Sequence, residues 1–468
     1  MVNISNIKSW ILKHSSLVIA VFISYLVSLL LLDNYAYVLV GAVVVVLVAI
    51  FIRYPRAYVY FIVTTYPIMG ILQEFLAFRV GGLYTGFNLG GVFVAFGVLY
   101  GVIYMLLKRP RIFKYELTIP ILIFFGIVTL SLTYIEKYKF FAFRDIIRLS
   151  THMPLYFIIL DNFKDMKDAK KLLAALTSVF VPMFIYFVAV IYFPSLGGNI
   201  MRNMEAEISS EISMPRLGGF LHATSIGSYI VIFFVISIYY YYQLEQKDRW
   251  KCYVMFVMLP FLLFNALARN AWITFVFVLI VVGILRYRKL VVVFVLACIF
   301  VLMIRPDVTN IIWLRMQPDP SSNYRLILNK LGWALFVQKP ILGWGQAYVH
   351  IYTGENISSS INQYGVGGVD LHNEYLRIMI ETGIVGLLSY LYLMYKGAKM
   401  SFKLFRLPQS IAKDYALVSL TVIISVMING ATGQGFRDMA IYFWIFMAIC
   451  EAYLINLRSQ AQDTQNLT

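Results

Sequence analysis

Apolar residues run through this chain in long stretches that recur almost from end to end. An α-helix needs about 20 such residues to cross the hydrocarbon core of a bilayer, and most of these stretches come close to that length. They lie at 15–32, 35–52, 57–77, 90–107, 117–134, 148–160, 172–194, 222–242, 252–267, 270–285, 289–304, 374–395, 411–430 and 439–457. The pattern predicts an all-α, polytopic transmembrane protein of about 12–14 helices, in which residues 1–468 form a single integral membrane domain.

The polar connections alternate between two kinds. One set is short and dense in Lys and Arg, as cytoplasmic loops are, and this places the other set on the outer face. Two outer loops are long, at 195–221 and 305–371. The second is interrupted by Pro306, Pro318 and Pro320 and contains an amphipathic stretch at 323–336, so we expect short helices within it.

Composition supports a membrane protein and excludes several other classes. Hydrophobic residues make up 61% of the 468 positions, and the mean hydropathy is +0.78, which no soluble globular chain of this size approaches. The net charge of +16 is explained by basic loops and a basic cluster on the outer face, and not by nucleic-acid binding. The histidines and acidic residues show no metal-ligand spacing, and no glycine-rich nucleotide loop is visible. We therefore expect no metal and no cofactor.

The candidate catalytic stretch starts where the longest outer loop meets an apolar helix. Asp370 is a suitable N-cap, and Glu374 puts negative charge in the first turn, where the helix dipole favours it. His372 would then lie in that first turn, at the membrane surface. A helix amino end disfavours a charged imidazolium, which suits a general base.

Further along the same helix, Glu381 is a carboxylate inside an apolar span. An ionisable group there is costly and is usually functional or paired. Gly383 and Gly386 follow, and small residues at this spacing typically let a neighbouring helix approach closely.

Arginines on the outer side run against the usual charge distribution of membrane proteins, so they are candidate functional residues. Arg269 lies at the tip of a short helical hairpin, and Arg216 lies in a glycine-flanked loop just before a helix. A guanidinium is always charged and grips phosphate through two parallel hydrogen bonds. Arg325 is a weaker candidate, because headgroup contacts are the favoured explanation for it, and Arg148 lies at the entrance to the sixth span.

Four of these elements, taken in order, resemble the O-antigen ligase/polymerase superfamily, whose members are polytopic bacterial transferases that use polyprenyl-diphosphate-linked glycans. The matching elements are Arg216-Leu217-Gly218-Gly219-Phe220, Ala268-Arg269-Asn270-Ala271-Trp272, Arg325 with Lys339-Pro340-Ile341-Leu342-Gly343-Trp344-Gly345, and His372-Asn373 followed after nine residues by Gly383-x-x-Gly386. The chain departs from the family pattern at Leu221-His222-Ala223-Thr224, where Pro-Asn is usual, and at Ala268, where Ser is usual.

The resemblance implies a metal-independent, inverting glycosyl transfer on the outer face of the bacterial inner membrane. In it, His372 takes the proton from an acceptor hydroxyl, while Arg216 and Arg269 neutralise the departing undecaprenyl (polyprenyl) diphosphate. We also predict a further set of residues against the substrates or beside the histidine: Arg148, Arg325, Asp370, Asn373 and Glu381. The expected partners are the lipid-linked glycan, an acceptor and the lipid bilayer.

The acceptor stays open at this stage. A polymerase would extend another lipid-linked repeat, which we slightly favour; a ligase would transfer the glycan to lipid A-core or to protein. A rival from another class is a secondary transporter or lipid-linked glycan flippase. That class predicts inverted repeats and broken midplane helices, which the sequence does not suggest.

Overall fold

The computed structural model of the protein describes residues 35–68, 89–108, 110, 112–135, 139–163, 166–193, 223–317, 320–356, 371–433 and 435–465. Within these ranges every regular element is a helix, so the predicted all-α class is confirmed. The predicted outer loop 195–221, which contains Arg216, lies outside the described residues, although the helices on either side of it are described.

Seventeen α-helices occupy the described ranges. The first nine are α1 Tyr35–Arg53, α2 Pro55–Thr65, α3 Leu89–Lys108, α4 Thr118–Leu130, α5 Lys139–Ser150, α6 Met153–Asn162, α7 Met166–Tyr192, α8 Ala223–Gln243 and α9 Trp250–Asn265. The others are α10 Arg269–Val282, α11 Arg288–Ile304, α12 Pro306–Met316, α13 Pro320–Gln338, α14 Tyr348–Asn356, α15 Glu374–Phe405, α16 Ser410–Thr432 and α17 Gly435–Gln465.

Five helices in the described part of the chain are long and apolar enough to cross a membrane, or six if the bent pair formed by α11 and α12 counts as one span. Three shorter apolar helices accompany them, at Val44–Arg53, Phe96–Lys108 and Thr118–Tyr134. A polytopic membrane protein is therefore confirmed. The count of 12–14 helices for the whole chain stays a prediction.

Buried polar residues mark the helices at the centre of the bundle. α16 and α17 bury most of their surface and carry Asp414, Asn429 and Glu451, all at most 5% exposed. A polar side chain is costly against lipid, so such helices are drawn to the interior. α11 has only apolar residues after Lys289, and side chains such as Val293 and Phe300 are more than 60% exposed. It lies at the edge of the bundle.

Ion pairs hold one end of the bundle together. Glu116, just before α4, bonds to Lys403 at 2.8 Å and to Arg458 at 2.8 Å, at the carboxyl ends of α15 and α17. Near the start of α16, Asp414 pairs with Arg286 at 2.8 Å. These basic residues belong to the loops that the sequence assigns to the cytoplasm.

The opposite end carries the long loop, which folds into helices as expected. The predicted amphipathic stretch 323–336 lies inside α13, and α12 and α13 begin at Pro306 and Pro320, where proline is tolerated as the first helical residue. α13, α14 and the first turns of α15 share a small apolar core of their own, which we call the outer core. It consists of Leu328, Leu335, Val349, Leu371, Leu376 and Ile380.

Candidate active site

The helix that follows the long loop begins at Glu374, and Asn373 caps its amino end. Asn373 Oδ1 accepts a hydrogen bond from the Leu376 N–H at 3.1 Å. The prediction that Asp370 is the N-cap is therefore wrong, because asparagine caps as well as aspartate and stands next to the first helical residue. Asp370 itself lies outside the described residues.

His372 lies one residue before the cap, and not in the first turn as predicted. Its backbone φ is +51°, in the left-handed region that histidine enters more readily than most residues. On one side of it, Leu371 is 2% exposed in the outer core. On the other side, the buried Glu374 accepts a hydrogen bond at 2.6 Å from the Phe436 N–H, at the start of α17. The partly exposed imidazole is thus carried by backbone that is fixed on both sides.

α15 is broken at Gly383, nine residues after it begins. Gly383 has φ +69° and ψ −170°, a conformation that is essentially restricted to glycine. The loop after α13 closes the gap through four backbone hydrogen bonds. Trp344 and Gly345 donate to the carbonyls of Ile380 and Glu381 at 2.7 and 2.8 Å, and Ile384 and Val385 donate to those of Pro340 and Ile341 at 2.8 and 3.5 Å.

This break explains the Gly383-x-x-Gly386 spacing and corrects our interpretation of it. A Cβ on Gly383 would lie 1.9 Å from the Ile341 carbonyl oxygen, so the close neighbour is the loop backbone and not another helix. A Cβ on Gly386 would meet Thr382, one turn earlier in the same helix. Gly343 has φ +72° and faces the Ile380 carbonyl in the same way. Two motifs that are about 40 residues apart in sequence therefore form one joint.

Glu381 is buried and paired, as an acid inside an apolar span usually is. It is 3% exposed, and its Oε2 lies 3.5 Å from Nε of Arg377, four residues earlier on the same helix. Glu381 lies near the end of residues 374–382, the part of α15 that Gly383 separates from the remainder, and His372 directly precedes the N-cap of the same segment. We call this segment the half-helix.

Sequence reasoning missed the residue to which this pair connects. Asp145 on α5 accepts two hydrogen bonds from Arg437 of α17, at 2.7 and 2.5 Å, and a third from Gln346 Nε2 at 2.7 Å. Arg377 approaches the same carboxylate to 4.0 Å. Two signals pointed this way: Arg377 and Glu381 stand four apart inside an apolar helix, and Arg437 is an arginine in an outer connection.

A small cavity lies beneath the half-helix, between α4, α5 and α17. Its polar lining is provided by Gln346, Glu374, Arg377, Glu381, Thr382 and Arg437. Arg437 Nε is buried here without a hydrogen-bond partner among the described residues. The cavity adjoins the charged network and not the imidazole itself, since His372 does not line it.

Arg269 is the first residue of α10, after a three-residue connection from α9, so the predicted hairpin tip is present. Its guanidinium donates to the Gln317 carbonyl at 3.1 Å. The next residue, Asn270, is buried and donates to Asn429 Oδ1 at 2.7 Å, and Asn429 in turn donates to Ser228 of α8. This cluster fixes the starts of α8 and α10 against the end of α16.

The end of α16 also packs against the start of α15. This contact places His372 and Arg269 at the same end of the bundle. Tyr375 donates to the Met427 carbonyl at 2.6 Å, and a Cβ on Gly430 would lie 3.5 Å from Glu374 Oε2. Asn429, between these two contacts, is the partner of Asn270. The last turns of α16 thus contact both segments.

The weaker arginine candidates lie nearby on other elements. Arg325 is on α13, one turn before Leu328 of the outer core. Arg148 is exposed in the last turn of α5, one turn after Asp145. Arg216 and Asp370 are outside the described residues, so the pairing of Arg216 with Arg269 stays a prediction. Within the described ranges, no group of three or more His, Cys, Asp or Glu side chains is placed to hold a metal ion.

Comparison with known proteins bears directly on this end of the molecule. Residues 253–391 match the family model described as O-antigen ligase. The resemblance predicted from the sequence is confirmed over that segment. The O-antigen ligase segment runs from α9 through the joint at Gly383 and includes Arg269, Arg325, His372 and Glu381. Arg148 and Arg216 precede it.

A relative in Rickettsia conorii, whose name describes it as a polysaccharide ligase, is 27% identical to this chain over 145 residues. The matched region is 30% of this chain and 33% of the relative, so the chain spans about a third of that protein's length. The similarity to this relative thus covers a segment of 145 residues, about as long as the segment that matches the O-antigen ligase model.

Proposed function

We propose that this protein is a membrane glycosyltransferase that joins a polyprenyl-diphosphate-linked glycan to a hydroxyl group of an acceptor glycan. The observation that carries the proposal is the setting of His372. It stands on fixed backbone at the start of the half-helix, within the O-antigen ligase segment and at the same end of the bundle as Arg269. Alternation of basic and neutral loops assigns that end to the outer face of the inner membrane.

His372 is the general base of the proposed reaction. A ring nitrogen accepts the proton of the acceptor hydroxyl as that oxygen attacks the anomeric carbon of the donor sugar. The new glycosidic bond forms on the face opposite the breaking bond, so the configuration inverts. The bond from the anomeric carbon to the diphosphate oxygen breaks, and its electron pair leaves with the polyprenyl diphosphate.

Fixed positive charge receives the leaving diphosphate. Arg269 is assigned to this task with Arg216, and the first residue of a helix is a favourable place for it, because the amino end of α10 adds its own partial positive charge. The starts of α8, α15 and α17 reach the same end of the bundle, as the contacts of Ser228 and Glu374 indicate. Because this charge is built into the chain, the proposed mechanism needs no divalent cation.

The transporter alternative predicts broken helices, and the sequence does not suggest any. The break in α15 shows that this expectation is wrong, so the alternative must be weighed again. Transporters use the free backbone groups of a broken helix to bind ions or substrates. At Gly383 the carbonyls of Ile380 and Glu381 are instead bonded to Trp344 and Gly345. The break is thus occupied by the chain's own loop, which favours a structural joint in an enzyme over a transport site.

The acceptor distinguishes a polymerase from a ligase, and we retain the polymerase as the first hypothesis. Deletion of the protein should then leave single-repeat caps on the surface glycan. Polymer that accumulates on the lipid carrier would instead identify a ligase, whose acceptor is lipid A-core or protein.

The test of the proposal is transfer by purified protein given a polyprenyl-diphosphate glycan and an acceptor. We expect His372→Ala to abolish both glycan transfer and release of polyprenyl diphosphate, because nothing else at that position can take the hydroxyl proton. A transporter would release no polyprenyl diphosphate, and it would move the intact lipid across vesicles whether or not residue 372 is histidine.

His350→Ala is the matched control. His350 is also on the outer-loop helices, where its ring stacks on Phe141 at 5.5 Å. This variant should fold and transfer glycan as the wild type does. Normal transfer by a well-folded His372→Ala protein would reject the general-base role.

A further inference from the structure

The half-helix that carries His372 is not held in place by the rest of its span. The break at Gly383 interrupts the backbone hydrogen bonding of α15, so the direction of residues 374–382 depends on side contacts. From Gly383 to His372 the distance along the axis is about 16 Å, and a tilt of about 4° would displace the imidazole by about 1 Å. A displacement of that size can cost about 100-fold in rate.

Asp145 supplies one of the contacts that hold the half-helix from the side. Its carboxylate receives Arg437 from α17 and Gln346 from the loop that closes the helix break, and it faces Arg377 in the middle of the half-helix. One carboxylate therefore joins four segments of the chain. The Asp145 and Arg437 side chains are only 13% and 12% exposed, so solvent screens these interactions weakly.

The same carboxylate also ties the half-helix to α5. Arg148 follows Asp145 by one turn on that helix, and Arg377 follows Asn373 by one turn on the half-helix. A contact that fixes Asp145 relative to Arg377 therefore also fixes the segment of α5 that carries Arg148 relative to the half-helix that follows His372.

Stability alone does not account for such an arrangement. A buried ion pair pays a large desolvation cost, and well-packed apolar residues often stabilise a fold as much or more. The pair does have one property that apolar packing lacks, which is directional geometry. Its two parallel N–H···O bonds define the orientation of the two groups.

Resting on the proposed function, we propose that Asp145 and Arg437 are positioning residues that hold the half-helix, and with it His372, in the geometry needed for transfer. They touch neither substrate nor the transferred proton. Their effect passes through Arg377 and Gln346 to the direction of the half-helix.

The experiment measures kcat, the KM for the lipid-linked donor and the pH profile of kcat for Asp145→Asn, Arg437→Gln and the double variant. We expect each single change to lower kcat by about 100-fold while donor KM and the pH midpoint stay unchanged. The double variant should be no worse than the poorer single variant, because the two residues act as one unit.

The variant Asp168→Asn is the matched control. Asp168 is 11% exposed in its side chain and pairs with Arg56 at 3.0 Å, in a contact between α2 and α7 beside the Lys- and Arg-rich loops that the sequence assigns to the cytoplasmic side. It should lower thermal stability without lowering kcat per folded molecule. If Asp145→Asn behaves in this way, the positioning role is overturned and the network is only structural.

Two other results would also overturn the proposal. Loss of a limb of the pH profile in Asp145→Asn would make Asp145 a proton-transfer group. If the neutral variants fail to fold, Arg437→Lys serves as the test, because it keeps the charge and loses the paired hydrogen bonds. Its kcat should fall about 10-fold. A wild-type kcat in folded Arg437→Lys would reject the role of orientation. Failure of the proposed function is separate, since it would appear as inactive wild type or active His372→Ala.

Discussion

At the scale of single residues, the candidate site combines groups whose charge is fixed with one group, His372, that exchanges a proton in the proposed reaction. Arg269 shows how position strengthens a fixed charge. It is the first residue of α10, where the partial positive charge of the helix amino end adds to its own charge, and its neighbour Asn270 is hydrogen-bonded to Asn429. The backbone that carries the charge is thereby held in place before any substrate arrives.

We therefore predict that Arg269→Ala loses about 3–4 kcal/mol of transition-state stabilisation, the scale of removing one contact to a developing negative charge. Arg269→Lys should recover part of this loss, because it restores the charge without the planar fork. The measurement is kcat/KM for a polyprenyl-diphosphate glycan donor, repeated in excess EDTA. Activity that collapses with chelator and returns with magnesium would show that a metal ion, and not arginine, receives the diphosphate.

At the scale of elements, the joint between the loop 340–345 and the break in α15 decides where His372 stands. Gly383 adopts a conformation that other residues avoid, and its missing side chain admits the Ile341 carbonyl. The outer core then covers the half-helix through Leu376 and Ile380.

Replacing Gly383 with alanine should accordingly cost about 3 kcal/mol or more of stability, and activity with it, because the backbone would be strained and the loop displaced. Gly126→Ala is the control, since a Cβ there meets nothing within 4 Å in the middle of α4 and should stabilise the helix by roughly 1 kcal/mol. Thermal unfolding in detergent compares the two. Equal melting temperatures for Gly383→Ala and wild type would contradict the importance of the joint.

The sequence alone predicts the local features of this site better than its assembly. Apolar runs and proline positions predict the hairpin formed by α9 and α10 and the helix at 320–338, because these depend on neighbouring residues. The spacing of Gly383 and Gly386 suggested helix packing, and only the fold reveals that a distant loop fills the space. The Asp145 network joins residues up to 292 positions apart, so the local signals at Arg377 and Arg437 could not identify Asp145 as their shared partner.

At the scale of the whole molecule, polar and charged clusters occupy the two ends of the same helices. α15 has Glu374 at one end and Lys403 at the other, bonded to Phe436 and Glu116 respectively. Along α16, Asp414 and Asn429 are separated by about 22 Å of helix and belong to different clusters. An apolar belt between two polar ends is the arrangement that a bilayer requires, and the basic end is expected to face the cytoplasm.

Orientation is therefore the last prediction. Gln338 and Gln409 are both exposed, the first at the end of α13 on the candidate-site side and the second just before α16 on the basic side. In a background where the exposed Cys298 is replaced by serine and the buried Cys252 and Cys450 are kept, a cysteine at position 338 should react with an impermeant maleimide in intact cells. A cysteine at position 409 should react only after the membrane is permeabilised. The reverse pattern would place His372 in the cytoplasm, where glycan transfer to a surface polymer has no acceptor, and it would overturn the proposed function together with the topology.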